Sequence, residues 1–300
     1  MDGFIELFLS GITRGSIYAL IALGYTMVYG IIELINFAHG EIYMIGSFVA
    51  LVVASLLGLA GFPMLGILCV AILVATLWSA AYGFTVEKMA YRPLRNASRL
   101  SPLISAIGMS VFLQNYISLA QTSDFQVFPY LIPEFEFLEP IAHILAPSAF
   151  LIIVTSLLVM LALSLFIKFT RLGKAMRATA QNRTMATLLG INPDTIISMT
   201  FIIGSALAAI GGVLIASHTG VTKFNIGFIA GIKAFTAAVL GGIGSIPGAM
   251  LGGFVLGLCE SFGAGYISSD YEDVFAFAIL ILILLFRPSG LMGRAPVQKV

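Results

Sequence analysis

The polar residues that could carry chemistry in this chain are few, and most of them interrupt long apolar stretches. The clearest group is residues 36–41, Asn-Phe-Ala-His-Gly-Glu, which lies directly between two apolar runs. Ionisable groups held near hydrocarbon are costly, and they tend to mark pathways or the packing of helix ends. Residues 36–41 are therefore either a translocation path or gate, with Asn36, His39 and Glu41 as its polar groups, or a plain solvated loop.

A glycine-rich stretch near the C-terminus is the second candidate for a path through the protein. Glycine is concentrated from residue 241 to residue 257, and Pro247 lies among these glycines. Such a composition predicts a broken or re-entrant helix near residues 225–263, whose exposed backbone lines a cavity. The residues we assign to this path or gate are Gly241, Gly242, Gly244 and Ser245.

Glu260 is an isolated acid that follows this glycine-rich stretch. It could be a carboxylate that couples transport to protons, because intramembrane acids often belong to proton relays. The alternative, which we favour, is that Glu260 marks the end of a membrane span near Gly263.

Motifs of catalysis and of nucleotide binding are missing from the sequence. Gly173 and Lys174 form the only Gly-Lys pair, and Lys168 stands where a phosphate-binding loop needs glycine. The sequence also lacks HExxH, paired Cys-x-x-Cys and Gly-x-Ser-x-Gly motifs. We therefore expect no catalytic residue, no metal ligand and no cofactor in this chain, and we expect that it is not an enzyme.

Residues 170–194 form the one long polar segment, and they combine basic residues with strong helix formers. The pattern predicts a helix over residues 171–189, which ends at Gly190 because glycine just past a helix and proline soon after are stop signals. A helix that is basic on one side and carries small and apolar residues can enter the groove of a partner protein. It can also rest on lipid headgroups, and the residues alone leave this alternative open.

The composition shows that these polar groups are positioned by membrane-spanning helices. Hydrophobic residues make up 59% of the chain, charged residues 10%, and the mean hydropathy is +1.05. Soluble domains carry about 25% charged residues, and a spanning helix needs about 20 apolar ones. The sequence predicts an all-α bundle of eight spans, plus or minus one. The charge-free runs are residues 15–32, 42–86 (divided at Gly61–Pro63), 100–123, 144–167, 195–217, 234–259 and 274–286.

The placement of basic residues predicts the orientation of the bundle. Twelve of the 15 lysines and arginines lie in three places: residues 88–99, residues 168–183 and the tail from residue 287. Cytoplasmic loops are enriched in lysine and arginine. We therefore expect loops 87–101 and 168–194 and the C-terminus to be cytoplasmic. The acidic residues expected outside are Asp124, Glu134, Glu136, Glu139, Asp270, Glu272 and Asp273.

Several segments resemble the LivH-type permeases of high-affinity branched-chain amino acid ABC importers. Together these segments extend over nearly the whole chain, and the Asn-Phe-Ala-His-Gly-Glu and Gly-Gly-Ile-Gly-Ser stretches are the most specific in combination. The matching segments are residues 15–20, 24–30, 35–41, 188–192, 233–249 and 287–291.

The resemblance implies that residues 1–300 form a single transmembrane permease domain of a bacterial inner-membrane importer for leucine, isoleucine and valine. It implies a homologous second permease subunit, two cytosolic ATPase subunits that use the ATP, and a periplasmic amino-acid-binding protein, with no nucleic acid. The loop around residues 177–192 then resembles an ATPase-docking segment, although Gln181 and Asn182 depart from the acidic pattern common there. Its implied coupling residues are Arg177, Asn182, Ala186, Gly190, Ile191 and Asn192.

Two alternatives remain at this stage. A permease of a related urea or short-amide ABC importer would share much of the fold and several motifs. A proton-coupled secondary transporter would use Glu260 or Glu41 and would need no ATPase.

Overall fold

The structure is a computed structural model that describes residues 2–95, 97–98, 100–132 and 145–293. It consists almost entirely of helices. Their bounds are α1 Asp2–Ile32, α2 His39–Leu59, α3 Met64–Val86, α4 Leu100–Ala120, α5 Pro147–Phe169, α6 Arg171–Gln181, α7 Arg183–Leu188, α8 Pro193–Thr219, α9 Ile226–Gly241, α10 Ile246–Tyr266 and α11 Glu272–Phe286. Two short strands, β1 Gln126–Val127 and β2 Val221–Thr222, pair antiparallel.

Within the described residues, seven helices are long and apolar enough to cross a membrane: α1, α2, α3, α4, α5, α8 and α10. The apolar helices α9 and α11 are shorter, with 16 and 15 residues. The predicted all-α polytopic bundle of about eight spans is therefore confirmed. Residues Arg99, Glu134, Glu136, Glu139, Arg294 and Lys299, on which part of the orientation prediction rests, lie outside the described residues.

Helix α1 begins well before the first charge-free run, which starts at Gly15. Arg14 lies inside the helix, and its Nη1 is 2.5 Å from Oε2 of Glu272 at the start of α11. A charge can occupy a spanning helix when a partner of opposite sign faces it. The charge-free run therefore underestimates the length of α1.

Small residues bring α1 and α10 into backbone contact. A Cβ atom added at Gly257 would lie 2.3 Å from the amide nitrogen of Gly15, and one at Gly253 would lie 2.5 Å from that of Ala19. Helices in lipid associate through such close approach, because there is no hydrophobic exclusion to drive them together. Gly212 of α8 packs equally closely, since its Cβ would lie 2.2 Å from the carbonyl oxygen of Tyr43.

The glycine-rich stretch is a helix broken into α9 and α10, as predicted. Gly242 and Gly244 have φ values of +102° and +90°, a region that favours glycine. Ser245 then caps α10 by accepting a hydrogen bond of 3.2 Å from the amide of Gly248. The amide of Leu291 donates to the carbonyl of Leu240 at 2.8 Å, so the segment after α11 satisfies the open end of α9.

Candidate functional site

Residues 36–41 are buried inside the bundle, except for Phe37, which is half-buried. Helix α1 ends at Ile32, and α2 already begins at His39. Asn36, His39 and Glu41 are only 2%, 1% and 0% exposed. A plain solvated loop is therefore the wrong description of this segment, which we call the buried turn (residues 33–41).

The buried turn reaches the middle of the bundle. A Cβ atom at Gly24 would lie 2.3 Å from Nε2 of His39, and one at Gly204 would lie 3.6 Å from Cε1 of the same ring. Gly24 and Gly204 lie well inside α1 and α8, away from their ends. The chain therefore leaves α1 at one end of the bundle and returns inward before α2 begins.

Glu41 is a carboxylate with an incomplete set of partners at this depth. Ser110 of α4 donates a hydrogen bond of 3.0 Å to its Oε1. Among the described residues, Oε2 has no hydrogen-bond partner. Oε2 faces Gly227 of α9, where an added Cβ would lie 2.6 Å away. Burying an acid of this kind is costly, and acids inside membrane proteins commonly mark substrate or proton pathways, so Glu41 stays a predicted path or gate residue.

The predicted single helix over residues 171–189 is wrong, because it is interrupted at Asn182. Asn182 has an extended backbone (φ −159°, ψ 109°), and its side chain accepts a hydrogen bond of 3.0 Å from the amide of Met185. An asparagine side chain that bonds to the nearby backbone in this way favours non-helical conformations, and asparagine is also favoured as an N-cap residue. Helices α6 and α7 are therefore two separate units, which we call the α6–α7 segment (residues 171–192).

The end of the α6–α7 segment follows the predicted stop signals. Gly190 has a φ of +79°, and Asn192 caps α8 by accepting a hydrogen bond of 3.0 Å from the amide of Asp194. Ile191 is partly buried against the hydrophobic core, and its amide donates to the carbonyl of Ala186 at 3.0 Å. The chain thus reverses sharply between α7 and α8.

The surface of the α6–α7 segment carries an exposed apolar tip. Met185, Leu188 and Leu189 are 58%, 77% and 78% exposed. Ala186, predicted as a coupling residue, is buried at 1% and supports the tip from inside. Arg177 is exposed and donates to the carbonyl of Lys168 at 3.3 Å.

A cavity of about 510 Å³ lies between α1, α6 and the break between α9 and α10. Its lining includes Gly244, Ser245 and Arg177, so the structure brings together residues from two separate sequence predictions. Gly241 and Gly242 instead pack against backbone: a Cβ at Gly241 would collide with Gly248, and one at Gly242 with Gly293. The residues of the buried turn do not line this cavity, so the predicted path residues fall into two places.

Sequence reasoning missed the side chains that hold the α6–α7 segment against the bundle. Arg183 donates from Nε to the carbonyl oxygen of Ile31 at 3.0 Å. Arg95 pairs with both Glu87 and Asp194. Glu87 is fully buried. It directly follows the charge-free run that ends at residue 86, and this position was the signal in the sequence that could have indicated its burial.

Comparison with known proteins decides the family. Residues 7–284 match the family described as branched-chain amino acid transport system / permease component. The chain belongs to this family. It is 52% identical over 301 residues to the high-affinity branched-chain amino acid transport system permease protein BraD of Pseudomonas aeruginosa, covering 99% of this chain and 98% of that protein. It is 51% identical over 304 residues to the permease protein LivH of Escherichia coli K12, with coverage of 99% and 98%.

More distant similarities extend to an archaeal protein and to a solved structure. The permease is 27% identical over 296 residues to a probable branched-chain amino acid transport permease protein LivH of Methanocaldococcus jannaschii, covering 94% of this chain and 90% of that protein. A putative metal-chelate type ABC transporter in an inward-facing conformation superposes with a TM-score of 0.51 at 17% identity, covering 93% of this chain and 86% of that chain. The last similarity shows a shared fold alone.

The permease also contains a buried ionic group, which we call the Lys233 cluster. Nζ of Lys233 lies 2.8 Å from Asp273, 3.0 Å from Glu272 and 3.3 Å from Glu260. Tyr18 of α1 donates to Oε2 of Glu260 at 2.7 Å. Glu260 lies in the last two turns of α10, three residues before Gly263, and is 0% exposed, so the preferred expectation that it marks the end of a span near Gly263 stays a prediction. Its charge is compatible with this depth because Lys233 faces it.

Proposed function

We propose that this permease is the membrane-spanning subunit of an ATP-driven importer of leucine, isoleucine and valine in the bacterial inner membrane. Relatives with 51–52% identity over 99% of the chain carry branched-chain amino acid transport in their names. Similarity that high and that continuous favours the same substrate class over urea or short amides. The segments that resemble LivH-type permeases imply the same class.

The exposed apolar tip of the α6–α7 segment is the observation that supports coupling to ATP hydrolysis. Leu188 and Leu189 lie outside the bundle at the end of the short helix α7, which is anchored from inside by the buried Ala186. An apolar helix tip on a firm base fits a hydrophobic groove of another protein. We assign this groove to a cytosolic ATPase subunit. A homologous second permease and a second ATPase subunit complete the membrane assembly.

This assignment sets the orientation of the permease. The α6–α7 segment, loop 87–101 and the C-terminus lie in the cytoplasm, in agreement with the clustered lysines and arginines. The opposite end carries Asp270 and Asp273 next to the start of α11. A periplasmic amino-acid-binding protein docks on that acidic end and delivers the substrate.

Transport then proceeds by alternating access. ATP binding changes the distance between the two ATPase subunits, and the α6–α7 segments move with them. Such a movement can shift the permease only if the partners bind its two states with different affinity. The substrate path passes the buried turn near Glu41 and continues to the cavity beside Gly244.

Uptake of radiolabelled leucine into proteoliposomes tests the proposal. The complete complex, with ATP enclosed and the loaded binding protein outside, should accumulate leucine, and excess urea or acetamide should not compete. A proton gradient without ATPase subunits should drive no uptake. Uptake under that condition would establish the proton-coupled alternative, and competition by urea would establish the amide importer.

The apolar tip can be tested in the same preparation. Leu188→Glu should lower the affinity for the ATPase subunits by roughly 10- to 100-fold, because burial of a leucine side chain is worth about 1.5–3 kcal/mol. The control is Leu59→Glu, since Leu59 is 89% exposed at the far end of α2. Normal co-purification of ATPase subunits with Leu188→Glu would remove the tip from the docking site.

A further inference from the structure

A direct hydrogen bond connects the centre of the α6–α7 segment to the last turn of α1, just before the buried turn. Arg183, the first residue of α7, donates from Nε and Nη2 to the carbonyl oxygen of Ile31. Ile31 lies in the last turn of α1, where carbonyl groups have no helical partner. A guanidinium group at this position satisfies the carbonyl and also complements the helix dipole. The first residue of α7 is therefore bonded directly to the last turn of α1.

A second connection leaves the other end of the segment, where α8 begins. Asp194 accepts a hydrogen bond of 2.8 Å from Arg92 and also pairs with Arg95. Arg95 pairs in turn with the buried carboxylate of Glu87, which accepts a further hydrogen bond of 2.7 Å from Ser198. The start of α8 and the end of α3 are thus tied by charged groups.

This second connection continues into the membrane through a π-helical turn, Glu87–Tyr91. Its last residue, Tyr91, is 1% exposed and donates from its hydroxyl group to Oδ1 of Asn36 at 2.7 Å. π-Helical turns are rare overall, but those that occur are often found at functional sites. Asn36 belongs to the buried turn, so the second connection ends within that turn, whereas the first ends at Ile31, two residues before it.

Between these two connections, the buried turn contains one residue with a left-handed backbone conformation. Glu33 has a φ of +56°, and no other non-glycine residue of the described chain has a positive φ. Left-handed backbone is unfavourable for a residue with a side chain. It persists where the surroundings impose it, and such positions cluster at switch regions. Glu33 is exposed, so no packing of its own side chain holds it there.

We propose that the buried turn receives the movement of the α6–α7 segment, with Arg183 as a positioning residue for ATP-driven transport. Arg183 sets the end of α1, and the chain of Asp194, Arg95, Glu87 and Tyr91 sets Asn36. Tilting the α6–α7 segment changes both attachments at once, and the turn moves Glu41 relative to Gly227. This inference rests on the proposed function, because it needs ATP to move the segment.

The test uses the complete importer in lipid nanodiscs, with Cys69 and Cys259 replaced by alanine and Leu34→Cys as a reporter. The rate of thiol modification at position 34 is measured with and without ATP, vanadate and the loaded binding protein. We expect these additions to change the rate about tenfold. In Arg183→Gln the change should fall below about twofold, and leucine uptake should fall about tenfold. Basal ATP hydrolysis and co-purification of the ATPase subunits should remain normal.

Arg171→Gln is the matched control, since Arg171 is an exposed basic residue of α6, and it should behave as the wild type. Arg183→Lys should restore part of the response, because a lysine keeps one charged donor. Tyr91→Phe should weaken the response, and its combination with Arg183→Gln should abolish it. A normal response at position 34 in Arg183→Gln would overturn the inference, as would loss of the ATPase subunits in that variant. Wild-type importer that shows no ATP-driven leucine uptake would overturn the proposed function as well.

Discussion

Replacing Lys233 by methionine should destabilise the permease because it leaves Glu260 buried without a counter-charge. Nζ of Lys233 is 3.3 Å from Oε1 of Glu260, and Glu260 is 0% exposed. At an effective dielectric constant of 20, a pair at this distance attracts by about 5 kcal/mol. Glu272 is less affected, because Arg14 remains 2.5 Å from it.

Proton uptake sets an upper limit on this destabilisation. A glutamate of ordinary acidity needs about 3–4 kcal/mol to take up a proton at pH 7, and about 1 kcal/mol at pH 5. Lys233→Met should therefore lower the free energy of unfolding by about 3–4 kcal/mol at pH 7. The difference from the wild type should shrink toward about 1 kcal/mol at pH 5, because a proton then replaces the lost ammonium group.

The double variant Lys233→Met/Glu260→Gln separates the lost charge pair from lost packing. Glutamine keeps the shape of Glu260 and can still accept the hydrogen bond from Tyr18, so the double variant should be more stable than Lys233→Met alone at pH 7. Unfolding of the purified protein by dodecyl sulfate, in mixed micelles at pH 5 and at pH 7, measures all three differences. The reasoning is refuted if Lys233→Met is as stable as the wild type, or if the added Glu260→Gln lowers stability further.

Two further predictions concern packing and orientation. Gly257→Val should lower the free energy of unfolding by about 1–3 kcal/mol, because its Cβ would lie 2.3 Å from the backbone of Gly15. The control in the same unfolding assay is Gly58→Val, since an added Cβ at Gly58 has nothing within 4 Å. Ser98→Cys, in the background without Cys69 and Cys259, should react with an impermeant thiol reagent only from the cytoplasmic side, and labelling of intact cells from outside would invert the proposed orientation.

Much of the fold could be predicted from the sequence, because the bilayer imposes local rules. Apolar runs of sufficient length become helices, since backbone groups must be satisfied within each segment in hydrocarbon. The break at Gly242–Ser245 and the end of α7 shortly before Gly190 were also predictable, since glycine backbone freedom and capping act over a few neighbouring residues. The family could be named from short motifs for the same reason, as these motifs are contiguous.

Side-chain partnerships were decided only by the tertiary structure. Lys233 and Glu260 lie on different helices, α9 and α10, and nothing in an apolar pattern shows which side chains of two helices face each other. The same holds for Arg183 and Ile31, and for Tyr91 and Asn36, whose connections come from distant parts of the chain.

The depth of Glu41 is the clearest case of this division. The sequence by itself determined that a polar turn lies between the first two apolar helices. Only the tertiary structure decided that this turn lies inside the bundle, because glycines 24, 204 and 227 leave room for it there. Hydropathy ranks residues by their free energy of transfer out of water, and it does not indicate where neighbouring helices leave space.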